Sequence, residues 1–411
     1  MGASDLSTLD LVCRVVDTER RPLDFALILH LTQSPDAESM MRGALSARNF
    51  YPSTGSWVNG KQWVPETELE SHLDVRKRDS GAPDAPVEEF MKLPFRLDEE
   101  VPLRQLLIQD GVMGPARLIT RVHHAASDLL STLMWVCHQL SVAKGRRTGV
   151  SQMAPFESLS LLGHRSSGRK GHGRHRRGCD PIWTRPAVAS ATRRWQTIEI
   201  RRSDFAGLSR KRDGFTYNDL LLTSLLETLH WWNGQHGMTG RKLGIWVPVN
   251  IRQEPFSGFG NGTSRIRVYR RFPDNAPVRT KCLEVRRQVD WSKQNGEWAV
   301  PDKPAWTRLP FAVSAPILQA FLNRSWADMG SAAFSHVERW PAHVESELED
   351  VDRMEVIGAL HIRHALMFAA VTHRDRTFMT LTYDPALLWK EDIKSVGHFL
   401  DSFLTRAARE I

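Results

Sequence analysis

The chain has 411 residues, 41% hydrophobic and 25% charged, with 27 glycines and 22 prolines, a composition that excludes wholesale disorder, collagen and coiled coil. Fifty-five lysines and arginines against 47 acids leave a formal net charge of +8. The length suits two domains, each able to bury its own core. No run of about 18 apolar residues is present to span a bilayer. The N-terminus, MGASDLSTLD, has no basic region and no apolar stretch to direct secretion, and Leu6 stands where a myristoylation signal needs Ser or Thr. Cys13, Cys137, Cys179 and Cys282 show no CxxC spacing, so neither a disulfide framework nor a zinc site is suggested and the expected location is the cytoplasm.

In chain order, Asp24–Gln33 is apolar and predicts a strand, and Asp36 sits at the start of a predicted helix over Ala37–Ala47. Residues 65–100, rich in Pro, Asp and Glu, read as loop. Ala116–His124 predicts a strand with Leu118, Thr120, Val122 and His124 on one face by period-two alternation. Asp128 stands before an apolar helix, Leu129–Leu140. Further on, Arg194–Ile200 predicts a strand, and Thr216-Tyr217-Asn218-Asp219 caps a helix over Leu220–Trp232. Strands follow at Gly244–Val249, Ser264–Tyr269, Phe334–Val337, Ala365–Thr372 and Thr377–Tyr383, and an amphipathic helix at Lys390–Ala407. Interleaved strands and helices predict an α/β protein of two lobes: 1–145, a linker 146–186, and 187–411.

The basic excess is local. Residues 141–186 carry ten basic and two acidic residues, the chain's entire net charge. Rich in Gly and Ser and without periodicity, this stretch reads as a tether, or as a landing strip for an acidic partner: the phosphates of coenzyme A, an acidic carrier protein, or nucleic acid. The scarcity of aromatic residues over 157–182 counts against single-stranded nucleic acid. His172, His175 and Cys179 have loosely metal-like spacing, but the arginines and lysine at 169–177 repel a divalent cation, and no metal is expected.

The chemically loaded segment is His123-His124-Ala125-Ala126-Ser127-Asp128, at a predicted strand-to-helix junction. A histidine projecting past a sheet end suits general-base work, its ordinary pKa near 6.5 letting it take and return a proton around neutrality. His123, facing the other way, reads as core. His124 and Asp128 are also spaced as a metal pair at i,i+4 with His138 as a distant third, although no acidic or cysteine cluster completes the shell. Cys137 is the cysteine nearest the motif but lies within the apolar helix, where thiols are inert packing.

Together, HHAASD, the strand before it and the helix after it resemble the HHxxxD acyltransferase superfamily, which includes chloramphenicol acetyltransferase, nonribosomal-peptide condensation domains, plant BAHD transferases and wax-ester synthases. Phe95-Arg96-Leu97 with Pro102-Leu103-Arg104, Asn218–Leu222, Val247–Arg252 with Phe259-Gly260-Asn261, and Leu381–Pro385 resemble further family segments in the family's order. Leu129 departs from the usual glycine after the motif acid, and Phe334-Ser335-His336-Val337 departs from the usual later strand.

The resemblance implies two chloramphenicol-acetyltransferase-like lobes in a V-shaped pseudo-dimer, with a tunnel between them. It implies acyl transfer from a thioester, acyl-CoA or carrier-bound, to a small-molecule amine or hydroxyl, without an acyl-enzyme and within specialised metabolism. His124 is then the base; Asp128 is structural support through an arginine, Arg48 or Arg42; His123 is further support; and Ser335 is an oxyanion donor. Ser127, Gly260, Asn261 and His336 are candidate substrate contacts, His336 alternatively a plain surface residue. Gly258, Gly260 and Asn261 are expected to shape a turn. No permanently bound cofactor is expected. The chain ends soon after the last family helix, so a carrier is expected to act in trans. The alternatives are a noncatalytic module that docks a carrier protein and, least favoured, a nucleic-acid binder.

Overall fold

The computed structural model describes residues 3–66, 73–78, 81–111, 114–146, 178–252, 259–296, 309–325, 330–338, 340, 342–361 and 364–411. The first half carries β1 (Ser4–Asp5), α1 (Thr8–Val16), β2 (Asp24–Leu31), α2 (Ala37–Phe50), β3 (Ser56–Asn59), β4 (Gln62–Pro65), β5 (Leu73–Lys77), α3 (Ala85–Lys92), β6 (Leu103–Gln109), β7 (Ala116–His123) and α4 (Leu129–Ala143). The second carries β8 (Arg194–Arg201), α5 (Arg210–Asp213), α6 (Tyr217–Gln235), β9 (Gly244–Asn250), β10 (Thr263–Tyr269), α7 (Val278–Gln294), α8 (Phe311–Ser325), β11 (Ala332–Val337), α9 (Ala342–Glu347), β12 (Val351–Ile357), β13 (Leu366–His373), β14 (Arg376–Tyr383) and α10 (Lys390–Glu410).

These elements build two lobes. The N-terminal sheet has the order β12-β2-β7-β6-β5 and the C-terminal sheet the order β10-β9-β11-β13-β14-β8. β2 and β7 are buried along almost their whole length; β2 accordingly reads as a continuous apolar run, whereas β7 buries Arg121 and Thr120 among its apolar residues and reads by alternation. α2 and α4 pack closely because Gly43 has no side chain: a Cβ there would stand 2.4 Å from the Gln139 carbonyl oxygen. One face of the C-terminal sheet, with Ile245, Val268, Phe334, Phe368 and Met379, packs on α6, α7 and α10. Its opposite face sends Ala369, Val371 and Phe378 into the N-terminal core.

Three expectations need correction. The supposed loop at 65–100 contains β5 and α3; both are short, and β5 is mostly exposed while α3 buries only Val87, Phe90 and Met91, which leaves little pattern in the sequence. β12 lies within the expected C-terminal lobe 187–411 yet pairs antiparallel with β2 and completes the N-terminal sheet. Of the expected linker 146–186, with its His172 and His175, residues 147–177 lie outside the described residues. The stretch after them is docked on the C-terminal lobe: Ile182 joins its core, and the Trp183 N–H donates to Asn233 Oδ1 at 2.7 Å. Among the described residues no helix is long and apolar enough to cross a membrane.

Candidate active site

The motif begins where β7 runs out. His123 is the last paired residue, opposite Asp24, and its N–H donates to the Pro102 carbonyl at 2.8 Å. The chain then turns. The His124 N–H donates to the Leu23 carbonyl at 2.8 Å, and Asn261 Nδ2 donates to the His124 and Ala125 carbonyls at 2.6 and 3.0 Å. Asn261 comes from the segment after β9, so a C-terminal-lobe side chain clamps the N-terminal-lobe loop. Gly260 before it has φ of 115°, the positive value expected of a glycine-shaped turn. Gly258 lies outside the described residues.

His123 is buried, and its Nδ1 accepts from the Ala125 N–H at 3.1 Å while its Nε2 lies 3.3 Å from Asp17 Oδ2. It braces the loop. His124 is half-buried, with its ring 5.0 Å from that of Phe25 and its Nδ1 turned inward. Burial pushes its pKa below 6.5; the charge of Asp128 works against that push. A neutral imidazole at neutral pH is the form that accepts a proton.

Asp128 does not face a substrate. It is the N-cap of α4, Oδ1 accepting from the Ser131 N–H at 2.9 Å. Both oxygens are also held by Arg252, Nη1 to Oδ2 at 2.8 Å and Nη2 to Oδ1 at 3.1 Å, in a pair only 0% and 2% exposed. The Gly262 N–H adds a bond to Oδ2 at 2.8 Å. Ser131 Oγ accepts from Arg252 Nη2 and donates to the Gly260 carbonyl. Leu129 in place of a glycine leaves the helix start intact, because the cap is made by the aspartate.

The partner arginine is thus neither Arg48 nor Arg42. Arg42 pairs with Glu38 on the exposed face of α2, and Arg48 is buried, its guanidinium pushed down to about 10 by burial with Glu66 opposing. Arg252, the last residue of Val247–Arg252, carries no local mark in the sequence of its pairing with Asp128. Gly262 was missed too: a Cβ there would come within 2.3 Å of the Arg252 guanidinium. Since Arg252 occupies Asp128, and His138 sits further along α4 bonded to Ser46 Oγ at 3.0 Å, the aspartate and these histidines form no metal shell. Among the described residues no three His, Cys, Asp or Glu side chains are grouped to hold one.

Ser127 is fully buried, bonded to the Asp128 carbonyl and to Thr132 Oγ1, both at 2.9 Å, so it is structural rather than a substrate contact. Gly260 and Asn261 likewise hold the loop. Register separates the remaining pair. Ser335 sits opposite Ala369 of β13, on the face turned to the N-terminal lobe, whereas His336 sits opposite Ala370 on the α6 face. His336 is half-buried, hydrogen-bonded, and not placed toward His124: its ring nitrogens lie 3.2 Å from Asn218 Oδ1 and 3.0 Å from Thr372 Oγ1, and burial, with Arg202 nearby, pushes its pKa down to about 3. Cys137 is buried in α4, which pushes its thiol up and leaves it unreactive.

With that geometry in hand, the fold can be compared. No protein-family model matches the chain, and no curated protein matches it. Solved structures do. The first condensation domain of the CDA synthetase superposes with a TM-score of 0.74 at 13% identity, covering 99% of this chain and 97% of that one. The X-domain from teicoplanin biosynthesis gives 0.66 at 16%, covering 99% and 95%. The EpoB cyclization-docking bidomain from Sorangium cellulosum gives 0.71 at 10%, covering 100% and 86%. The class defined is therefore the two-lobed, chloramphenicol-acetyltransferase-like fold of condensation domains. This chain shares that fold, and in it the His123–Asp128 segment lies at the junction of the lobes with Asp128 locked by Arg252.

Proposed function

We propose that this protein is an acyltransferase of the condensation type, moving an acyl group from a thioester to an amine or hydroxyl acceptor. The observation that carries the reading is His124: a half-exposed imidazole, kept neutral by burial, on a loop fixed from both lobes by Asn261 and by Asp128–Arg252. His124 takes the proton from the acceptor as its nitrogen or oxygen attacks the thioester carbonyl. The tetrahedral intermediate collapses, the carbon–sulfur bond breaks, and the imidazolium returns the proton to the leaving thiolate. The Ser335 hydroxyl or a backbone N–H is the oxyanion donor. No acyl-enzyme and no bound cofactor enter this scheme.

The donor is acyl-CoA or an acyl group on a carrier protein supplied in trans, and the setting is specialised metabolism in the cytoplasm. The neighbours named for teicoplanin biosynthesis and the CDA synthetase support the metabolic setting, and the basic stretch 141–186 suits either phosphorylated donor. The test is free-thiol release from acyl-CoA and acyl-carrier panels with pooled amines and alcohols. Release that needs an acceptor and is lost in His124→Ala supports the reading. Equal release from both proteins overturns it, and tight carrier binding without release assigns a docking module instead.

A further inference from the structure

Arg265 stands apart from the other arginines near the lobe junction. In the antiparallel β9–β10 ladder Arg265 is opposite Pro248 and Arg267 opposite Trp246, while Ile266 and Val268 of β10 enter the C-terminal core. Alternation therefore turns Arg265 and Trp246 to the other face, the one toward the N-terminal lobe. Its guanidinium carbon lies 4.8 Å from the Trp246 ring centroid, and the His361 ring is 4.6 Å from the same indole at 62°. Burial holds the His361 pKa well below 6.5, and His364, His124 and Arg265 add to that push.

Arg265 is exposed, yet protein walls it in closely enough to push its pKa down to about 10, the neighbouring Arg267 adding to the push. Among the described residues no carboxylate acts on it, whereas Asp128 and Arg252 neutralise each other fully. Below the indole, Trp246 packs against a patch formed by Val16, Leu23, Leu318 and Leu322. An exposed planar cation held on an aromatic face matches a carboxylate. A donor phosphate fits less well, because the pantetheine arm separates it from the thioester that must meet His124.

We propose that Arg265, stacked on Trp246 beside His361 on the sheet face turned to the N-terminal lobe, forms a carboxylate subsite for the acceptor, so that the acceptor is a free amino or hydroxy acid. The assignment rests on the acyl-transfer reading and narrows it, since an acceptor tethered to a carrier through its carboxyl has no carboxylate to offer.

The test pairs each member of a panel of amino and hydroxy acids with its own carboxamide. Wild-type kcat/KM should favour the acid about ten- to a hundredfold, the worth of one charged hydrogen-bonded contact. In Arg265→Gln the acid-to-amide ratio should collapse toward one, and Arg265→Lys should keep part of it. A purely structural arginine would lower both substrates together and leave the ratio alone. A wild-type ratio of one, or an unchanged ratio in Arg265→Gln, overturns the subsite while His124-dependent release still upholds acyl transfer. If the wild type releases no thiol with any acceptor, acyl transfer fails, and calorimetric titration of the same pairs decides the subsite separately. Acid-selective binding lost in Arg265→Gln supports it, and its absence overturns it.

Discussion

Arg252 grips both carboxylate oxygens of Asp128 from 124 positions further along the chain, and this one contact fixes the motif helix of the first lobe to the crossover segment of the second. Both groups are out of water, so the pair holds position at high cost if broken: removing one partner from such a buried pair costs about 3–5 kcal/mol.

Asp128→Asn should therefore lower the thermal midpoint markedly, and Arg252→Met should do the same. The double variant should be less destabilised than the two losses added together, because no charge is then left unpaired. Differential scanning fluorimetry of the four proteins measures the coupling. Strict additivity would mean that the pair contributes nothing beyond its parts.

The pH profile of kcat/KM reports His124. Burial lowers its pKa, so activity should rise with pH through a value below 6.5 and be flat by neutrality. The Asp128 charge favours the protonated ring. Its removal in Asp128→Asn should then move the acidic limb to lower pH. A limb that stays put or moves upward breaks the electrostatic link between these two residues.

Gly262→Ala should copy Asp128→Asn. The added methyl would meet the Arg252 guanidinium at 2.3 Å and displace it from the carboxylate. Both the thermal midpoint and kcat should fall together. A Gly262→Ala protein with wild-type midpoint would show that the guanidinium has room to move.

Ser335 and His336, adjacent in sequence, should behave differently. Ser335→Ala should cost about 10²–10³ in kcat, as loss of one oxyanion donor does, with stability little changed. His336→Ala should cost stability, because it removes the hydrogen-bond partner of Asn218 Oδ1 and leaves Thr372 Oγ1 with Thr377 alone, while kcat per folded molecule is preserved. Steady-state kinetics beside midpoint measurements separate the two.

Acid stability should depend on Asp24. Although burial pushes its carboxyl up, Arg193 and Arg121 outweigh that and hold it well below the usual range. A native pKa below the unfolded value near 3.9 contributes stability that is present above about pH 4 and lost as pH falls. Asp24→Asn should lower the midpoint at neutral pH, and the gap to wild type should narrow below about pH 4. A gap that is constant with pH would exclude this network as the source.

Much of the fold was legible because burial writes itself into sequence. β2, α4 and α6 are apolar runs, β7 shows period-two alternation, and the stretch that the sequence marks as a cap, Thr216–Asp219, forms a capping box. The motif histidine and aspartate were legible for the same local reason, lying at one strand-to-helix junction. Arg252 was not, because one among many arginines carries no local mark of a partner 124 positions away. β12 was missed because VDRMEVI mixes charge with apolar residues, and its pairing with β2 depends on chain brought back from the far half. The sides taken by Ser335 and His336 needed strand register, which alternation alone does not supply.

β12 also bears on how this molecule can be cut and rejoined. It pairs with β2 of one sheet, while the Val356 and Gly358 N–H groups donate to Thr380 and Thr382 of the other. A chimera joined at the linker would leave β2 an open sheet edge prone to aggregation, unless residues 351–358 travelled with the N-terminal half. The exchangeable unit is therefore discontinuous in sequence, and recombination at a single crossover point would tend to break the protein rather than change its specificity.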